Sequence, residues 1–300
     1  DPLWSRGLGD VYKRQVFYSC GNGVSKAPFS DKEKSMDDTL QSPLGYEPLI
    51  VQRYSHGSVQ EQLDDVVQET PVALVYNGIS HAVMMVTPTD LDVFAKGFSL
   101  SEGILQHLAE LYTLDIVENE LGIQVGMTIS SRAFAALKQH RRAMTGRTGC
   151  GLCGIESLQQ LHQDVTSVST KFLSTWLNDI PQAVLQLNAK QKITALTGGA
   201  HAAAWVVNGE ICILFEDVGR HNALDKLLGY IAQQQLDVSN GFVLMTSRAS
   251  YELVRKCARL NIALLACISA PTSLAIEMAK HSGLALAAFC RGHGYVLYND

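Results

Sequence analysis

Strand-like apolar runs lie on both sides of an Asn-Gly dipeptide in the first third of the chain. Residues 72–76 and 79–86 are rich in Val, Leu and Met. Between them, Asn77-Gly78 supplies the positive φ angles of a type I′ turn. The pattern therefore predicts a β-hairpin over residues 72–86.

A helix is predicted directly after this hairpin. Its apolar residues recur at intervals of three and four: Leu91, Phe94, Ala95 and Phe98. Thr87 is expected to cap this helix, with Pro88 at the first helical position. A second hairpin over residues 114–118 and 121–129 and a helix over residues 131–142 follow. The first part of the chain is therefore predicted to be α+β.

The last third of the chain shows a different order of elements. Residues 200–207 and 210–215 flank another Asn-Gly dipeptide and predict a hairpin, which is followed by a helix over residues 222–233. Beyond it the predicted elements alternate: strands over residues 242–246, 262–268 and 284–290, and helices over residues 251–260 and 272–281. This βαβαβ order predicts parallel strands with right-handed helical crossovers. The predicted fold class is α/β, with a small N-terminal α+β subdomain before the C-terminal one.

Polar residues collect at the predicted carboxyl ends of these three strands, where open parallel sheets bind ligands. The ends are Thr246-Ser247-Arg248, residues 269–273 (Ser-Ala-Pro-Thr-Ser) and residues 290–294 (Cys-Arg-Gly-His-Gly). Arginine pairs with anions, and small residues let backbone N–H groups approach a ligand. A phosphate or nucleotide site is predicted, although ordinary helix capping by Ser and Thr also explains the first two loops.

Length and composition limit the classes of protein to which the chain can belong. The chain has 300 residues, 47% of them hydrophobic, which is ample for a packed core. The predicted parts are a disordered or non-native tail at residues 1–45, the N-terminal subdomain at 46–165 and a cofactor-binding subdomain at 166–300. Seven thinly spread cysteines do not resemble a secreted disulfide framework, so a cytoplasmic protein is predicted. A net charge of −5 argues against general nucleic-acid binding, and no apolar run reaches membrane-spanning length.

Two of the cysteines, Cys150 and Cys153, stand two residues apart in a loop with three glycines. Such a pair can be half of a zinc site, a redox dithiol, or a nucleophile with its partner in persulfide chemistry. It can also be no more than two small residues in a turn. The chain has no second Cys-x-x-Cys or His-x3-His to complete a zinc site.

Basic residues precede this pair, and nearby cations favour a reactive thiolate over a thiol. They are Lys138, Arg141, Arg142 and Arg147. The first three also fit the solvated face of a helix. Arg147, which lies in the glycine loop itself, is the one expected to act on the cysteines.

A dense polar segment at residues 216–226 has two interpretations. Asp217, Arg220 and His221 form either an anion-receiving or acid–base cluster, or a helix N-terminus stabilised by Asp217 with internal ion pairs. His201 is likewise either a polar site residue or a satisfied core histidine.

Several of these motifs, in this order, resemble the FdhD family of formate dehydrogenase accessory sulfurtransferases. The matching segments are VALVYNG (72–78), GFSLSEG (97–103), RTGCGLCG (147–154), HAAAW (201–205), EDVGRH (216–221) and SRASYE (247–252). The resemblance extends from about residue 69 to residue 298 and does not reach residues 1–45.

The resemblance implies a cytoplasmic sulfurtransferase that is required for formate dehydrogenase activity. Members of the family accept sulfur as a persulfide from a cysteine desulfurase. They pass it to molybdenum bis(molybdopterin guanine dinucleotide), the cofactor of formate dehydrogenase. Cys150 matches the family's persulfide carrier, and Cys153 is the neighbouring thiol.

The resemblance also implies a fold, an assembly and a binding segment. The C-terminal subdomain is expected to be αβα-layered with a mixed sheet, similar to cytidine deaminases, and the protein to be a homodimer without a permanent metal. The family's cofactor-binding segment corresponds to Leu286, Ala287, Ala288, Phe289, Cys290 and Arg291.

Three arginines are assigned roles as hypotheses. Arg147 would stabilise the sulfur anion, and Arg248 and Arg291 would hold the phosphates of the guanine dinucleotide. A glycine and a histidine follow Arg291, where the family pattern leads us to expect another basic residue.

Two alternative functions come from other classes. Zinc deaminases use His-x-Glu followed downstream by Pro-Cys-x-x-Cys, but here the cysteine pair precedes His201 and no glutamate follows that histidine at this spacing. The second alternative is a non-catalytic cofactor chaperone whose cysteines only dock partners.

Overall fold

The computed structural model describes residues 45–145, 166–292 and 294–299. Their strands are β1 (Tyr46–Ser55), β2 (Ser58–Val67), β3 (Thr70–Tyr76), β4 (Ile79–Val86), β5 (Leu111–Asn119), β6 (Gly122–Ile129), β7 (His201–Val207), β8 (Glu210–Asp217), β9 (Phe242–Met245), β10 (Leu264–Cys267), β11 (Ala285–Arg291) and β12 (Gly294–Asn299). Their helices are α1 (Leu91–Ser101), α2 (Ser131–Thr145), α3 (Trp176–Lys190), α4 (Lys192–Thr197), α5 (Arg220–Gln233), α6 (Tyr251–Arg259) and α7 (Ser273–Ser282). Two 3-10 turns lie at Leu108–Glu110 and Val238–Asn240. The tail predicted at residues 1–45 falls outside these residues except for Gly45.

The first sheet has the strand order β4-β3-β6-β5 and contains both predicted hairpins. Asn77 and Gly78 have φ angles of 46° and 79°, which confirms the predicted turn. The Asn77 side chain also bonds both backbone groups of Ile129 in β6, at 3.1 and 2.7 Å. The turn residue therefore helps to fix the parallel β3–β6 pairing.

The helix after the first hairpin begins later than its sequence pattern predicts. α1 starts at Leu91 behind Asp90, and Thr87 makes no cap. Instead, the buried Thr87 hydroxyl accepts a hydrogen bond from the backbone N–H of Val218 at 3.0 Å, and its own N–H donates to Asp217 at 3.1 Å. The capping prediction is wrong because these tertiary partners hold Thr87 in an extended segment.

The second sheet has the strand order β12-β11-β10-β9-β7-β8. Strands β9, β10 and β11 are parallel, as the βαβαβ pattern predicts, while β7, β8 and β12 make the sheet mixed. Successive side chains of each strand face opposite sides of the sheet. One side packs against α5, α6 and α7, and the other packs against α3. Helices therefore cover both faces of this α/β sheet.

Strands β1 and β2 form a separate antiparallel hairpin that turns at His56 and Gly57. The sequence pattern predicts no element over these residues and only places the start of the N-terminal subdomain at residue 46. Its apolar residues do not alternate cleanly, and several are exposed: Leu49, Ile50, Tyr54, Val59, Leu63 and Val66.

The part of the chain that contains the first sheet packs against the part that contains the second sheet where α1 crosses α5. Both helices have a glycine at the crossing, Gly97 in α1 and Gly229 in α5. A Cβ built on Gly97 would overlap the carbonyl oxygen of Asp225, and one on Gly229 would overlap that of Val93. The two backbones therefore touch, and only glycine fits at either position.

A buried ionic network also crosses this junction. The ammonium of Lys256 on α6 lies 2.6 Å from Glu102, 2.9 Å from Asp225 and 2.8 Å from the Ser101 hydroxyl. Burial opposes the ionisation of Glu102, but Lys256 and Arg255 outweigh it and hold the pKa of that carboxyl at about 2. Because each buried charge has its partner, the network fixes α1, α5 and α6 in one register without leaving an uncompensated ion.

Among the described residues, no helix has both the length and the apolar character needed to span a membrane.

Candidate functional site

Four strand ends and two strand starts, those of β7 and β12, meet at one edge of the second sheet. β8 is antiparallel to β7, and β7 is antiparallel to β9, so β8 runs in the same direction as β9, β10 and β11. Their carboxyl ends therefore share an edge. His201 begins β7 at this same edge, opposite Asp217 in the register.

A cavity of about 320 Å³ opens at this edge. It is lined by His201, Arg220, Thr246, Ser247, Arg248 and Ser269. These residues come from the loop after β9, the loop after β10, the start of β7 and the start of α5. Two of the three strand ends predicted to form a ligand site therefore do converge on one cavity.

Backbone hydrogen bonds hold these loops in place. The N–H of Ile268 donates to the carbonyl of Met245 at 2.9 Å, and the Ser269 N–H donates to Ser247 at 3.4 Å. Thr246 accepts a hydrogen bond from the Ala202 N–H on its hydroxyl at 2.9 Å. The cavity floor is thus part of the sheet's own hydrogen-bond pattern, which preorganises the polar groups above it.

The charged side chains that line the cavity are cationic. Arg248 is exposed and Arg220 is half-buried. The buried Nε of Arg220 has no hydrogen-bond partner among the described residues. A buried guanidinium N–H without a partner is costly, so an anion that accepts its hydrogen bond would be favoured at this position. The first turn of α5 adds backbone N–H groups and the positive end of the helix dipole.

The acidic groups near this edge are already engaged in structural contacts. Asp217 is fully buried, pairs with Lys226 at 2.7 Å, and accepts hydrogen bonds from Gly219 and Asn222. Burial lowers the pKa of Lys226 even though Asp217 opposes this shift. Asp217 therefore matches the interpretation of this segment as a stabilised helix N-terminus, whereas its neighbour Arg220 lines the cavity.

Two further acids near this edge, Glu216 of the same segment and Glu252 of α6, are likewise bound. Glu216 accepts hydrogen bonds from the backbone N–H groups of Ile193 and Thr194, both at 2.8 Å, and so caps α4. Glu252 lies 2.6 Å from Nε2 of His221, and the hydrogen bond from His221 lowers the pKa of Glu252. Neither carboxylate lines the cavity.

His201 lies in the cavity wall and is half-buried. The sequence alone leaves open whether His201 is a site residue or a core histidine. In the structure it begins β7 and lines the cavity together with Arg220 and Arg248. Burial, and after it the charges of Arg220 and His221, lower the pKa of the His201 imidazole. The neutral imidazole can donate one hydrogen bond and accept another.

Comparison with known protein families identifies the chain. The model of the FdhD/NarQ family matches residues 67–300. The chain belongs to the FdhD/NarQ family. This FdhD/NarQ chain is 61% identical over 256 residues to the sulfur carrier protein FdhD of Acinetobacter baylyi, covering 85% of this chain and 93% of that protein. It is 50% identical to the sulfur carrier protein FdhD of Chromobacterium violaceum, covering 88% and 99%.

The fold of this FdhD/NarQ chain is also similar to a solved structure. That crystal structure is described as a formate dehydrogenase accessory protein from Desulfotalea psychrophila. The TM-score is 0.67 at 24% identity, with 85% of this chain and 97% of that chain covered. This likeness supports the mixed α/β architecture.

The third strand end of the FdhD/NarQ chain lies beside the cavity. Leu286, Ala287, Ala288 and Cys290 of the predicted cofactor-binding segment are buried within β11. Phe289 is 40% exposed, has a φ of 53°, and donates its N–H to the Ser269 carbonyl at 3.2 Å. Arg291 donates from Nε to the Ile268 carbonyl at 3.1 Å. From this segment, Phe289 and Arg291 have the side chains that can face a ligand at the rim.

Cys150, Cys153 and Arg147 lie outside the described residues. Of the other cysteines, Cys257, Cys267 and Cys290 are free and buried. Burial raises the pKa of all three thiols, that of Cys290 to about 12. They are unreactive side chains of the core.

No group of three or more His, Cys, Asp or Glu side chains within the described ranges is arranged to hold a metal ion.

Proposed function

We propose that this FdhD/NarQ chain is a sulfur carrier that loads persulfide sulfur on Cys150 and delivers it to the molybdenum cofactor of formate dehydrogenase. The observation that carries the proposal is the 61% identity, over 85% of the chain, to a protein named sulfur carrier protein FdhD. The glycine-rich Cys150/Cys153 loop provides the thiols that such a function requires.

Loading is a redox-neutral thiol exchange. The Cys150 thiolate attacks the terminal sulfur of a persulfide on a cysteine desulfurase. A new S–S bond forms on Cys150, the donor's S–S bond breaks, and the donor cysteine leaves as a thiolate. One sulfur atom has moved and no oxidant is consumed.

Release requires two electrons because the terminal sulfur leaves as sulfide. In our proposal, the Cys153 thiolate attacks the Cys150 sulfur, and the bond to the terminal sulfur breaks. The two cysteines become a disulfide, and hydrosulfide is passed to the molybdenum of the substrate cofactor. A cellular dithiol then reduces the disulfide. The alternative role for Cys153 is to hold the persulfide in place.

The cavity at the sheet edge is proposed to bind the guanine dinucleotide part of that substrate. Arg220 and Arg248 would pair with its phosphates, and Ser269 would donate a hydroxyl hydrogen bond. The Ser247 hydroxyl, which donates to the Arg248 carbonyl at 3.1 Å in this structure, would have to turn away from that carbonyl to do the same. Arg291 would contribute from the rim. The cavity is cationic although the chain carries a net charge of −5, and this local contrast supports a phosphate ligand.

The remaining parts of the proposal follow from the family resemblance. We propose a cysteine desulfurase and formate dehydrogenase as partners, a cytoplasmic homodimer, and subdomains at residues 46–165 and 166–300, the second related to the cytidine-deaminase fold. No permanent metal is part of the proposal.

Loading of the wild-type protein tests the proposal. After incubation with a cysteine desulfurase and cysteine, intact-mass analysis is expected to show one added sulfur that a reducing dithiol removes. The absence of added sulfur would contradict the proposal and favour the cofactor chaperone. Stoichiometric zinc in the purified protein would instead favour a deaminase-like site.

Replacing Arg220 tests the cavity. We expect Arg220→Ala to weaken GDP binding about ten- to a hundredfold, because a charge-assisted hydrogen bond to phosphate contributes about 1.5–3 kcal/mol. Calorimetric titration with GDP measures the change. The matched control is Arg132→Ala, which removes an equal charge from an exposed arginine paired with Glu110 at the start of α2. Equal affinity in Arg220→Ala and Arg132→Ala would contradict the assignment of the cavity.

A further inference from the structure

His201 occupies an unusual electrostatic position in the cavity wall. It shares the lining with two arginines and with hydroxyl groups, and no carboxylate is among the lining residues. Its imidazole forms no hydrogen bond with another described residue. A histidine in such a position has no local partner that would stabilise its charged form.

The charged groups around His201 come from each neighbouring element. α5 contributes Arg220 and His221, and the loop after β9 contributes Arg248. Asp217 lies opposite His201 in the β7–β8 register, but its carboxylate is paired with Lys226.

Glu252, on α6, completes the set, and it is engaged by His221. Both carboxylates are thus already engaged by other residues. The charged side chains that line the cavity with His201 are the two arginines.

We propose that His201 is a proton-coupled anion ligand, neutral in the free protein and protonated when a phosphate group binds between Arg220 and Arg248. This inference rests on the proposed binding of a guanine dinucleotide and deepens it, because it names the protonation step that accompanies capture of the phosphates. The imidazolium then donates a hydrogen bond to the ligand as a third cation of the site.

The direction of the coupling follows from the signs of the charges. In the free protein, burial and the nearby cations hold the pKa of His201 below the ordinary histidine value. A phosphate between the two arginines reverses the sign of the local charge and raises that pKa. Binding therefore takes up a proton, and by linkage the affinity increases as the pH falls through the interval between the two pKa values.

Calorimetry in buffers with different ionisation enthalpies counts the protons that accompany GDP binding. Wild type is expected to take up more protons than His201→Gln, which keeps a hydrogen-bonding side chain but does not titrate. Relative to that variant, wild-type affinity is expected to be roughly three- to tenfold tighter at pH 6 than at pH 8. Comparing the two proteins cancels the titration of GDP itself.

His221→Gln is the matched control, because it removes the neighbouring histidine that is paired with Glu252 rather than exposed to the cavity. It is expected to retain most of the proton uptake, because burial and Arg220 still lower the pKa of His201 when His221 is removed. Equal proton uptake in wild type and His201→Gln, or its loss in His221→Gln alone, would overturn the inference while leaving GDP binding intact. Absence of GDP binding in wild type would instead overturn the cavity assignment and this inference together, whereas persulfide loading is measured independently of both.

NMR provides a second readout if His201→Gln fails to fold. The imidazole C–H resonances of the wild-type protein are titrated with and without GDP, and the His201 signal is expected to titrate at higher pH in the complex. An unchanged midpoint would contradict the proposal.

Discussion

Cys150→Ala is expected to abolish sulfur loading completely. The alanine side chain has no nucleophile, and the buried thiols Cys257, Cys267 and Cys290 cannot replace it because burial raises their pKa and hides them from a donor protein. Intact-mass analysis after incubation with a desulfurase and cysteine is expected to show only the unmodified chain. In cells that depend on this protein, formate dehydrogenase activity is expected to disappear with it.

Cys153→Ala is the matched control, because it removes a thiol from the same loop. It is expected to load one sulfur like the wild type but to fail in release, since no second thiol forms the disulfide. Unchanged loading of Cys150→Ala would show that another residue carries the sulfur. Normal sulfur delivery by Cys153→Ala would show that release does not need Cys153 and involves only Cys150 and the acceptor.

The order of elements could be predicted because its signals are local. Asn77-Gly78 marks one hairpin by its φ requirements, and the alternation after residue 242 marks the parallel strands by length and spacing. The polar residues after β9 and β10 pointed to the edge that carries the cavity. These patterns each depend on a few neighbouring residues.

Features that depend on distant residues could not be predicted in the same way. Thr87 matches a helix cap in sequence, but it bonds Asp217 and Val218, which lie about 130 positions away. Arg220 and His201 meet because β7 is inserted beside β9 in antiparallel orientation, a pairing that hairpin spacing does not specify. The ionic network around Lys256 is likewise assembled from separate helices.

Gly229→Ala is expected to destabilise the protein by about 3 kcal/mol or more, a large share of a typical total of about 5–15 kcal/mol. The new methyl group would overlap the carbonyl oxygen of Val93, a backbone atom that cannot rotate away, so α1 and α5 must separate. On helix propensity alone, the same change would stabilise α5 by roughly 1 kcal/mol. The two effects have opposite signs, so the sign of the measured change decides between them.

Urea unfolding measures this sign directly. Gly126→Ala is the control, since a Cβ at Gly126 meets only the Asp115 carbonyl oxygen at 3.8 Å, an ordinary contact. Gly97→Ala should behave like Gly229→Ala, and the double variant should cost less than the sum of the two, because helices already forced apart accommodate the second methyl group more easily. A midpoint for Gly229→Ala at or above that of the wild type would mean that the helices do not touch at this crossing. The position of Arg220 at the cavity would then need a different explanation, because Arg220 and Gly229 both belong to α5.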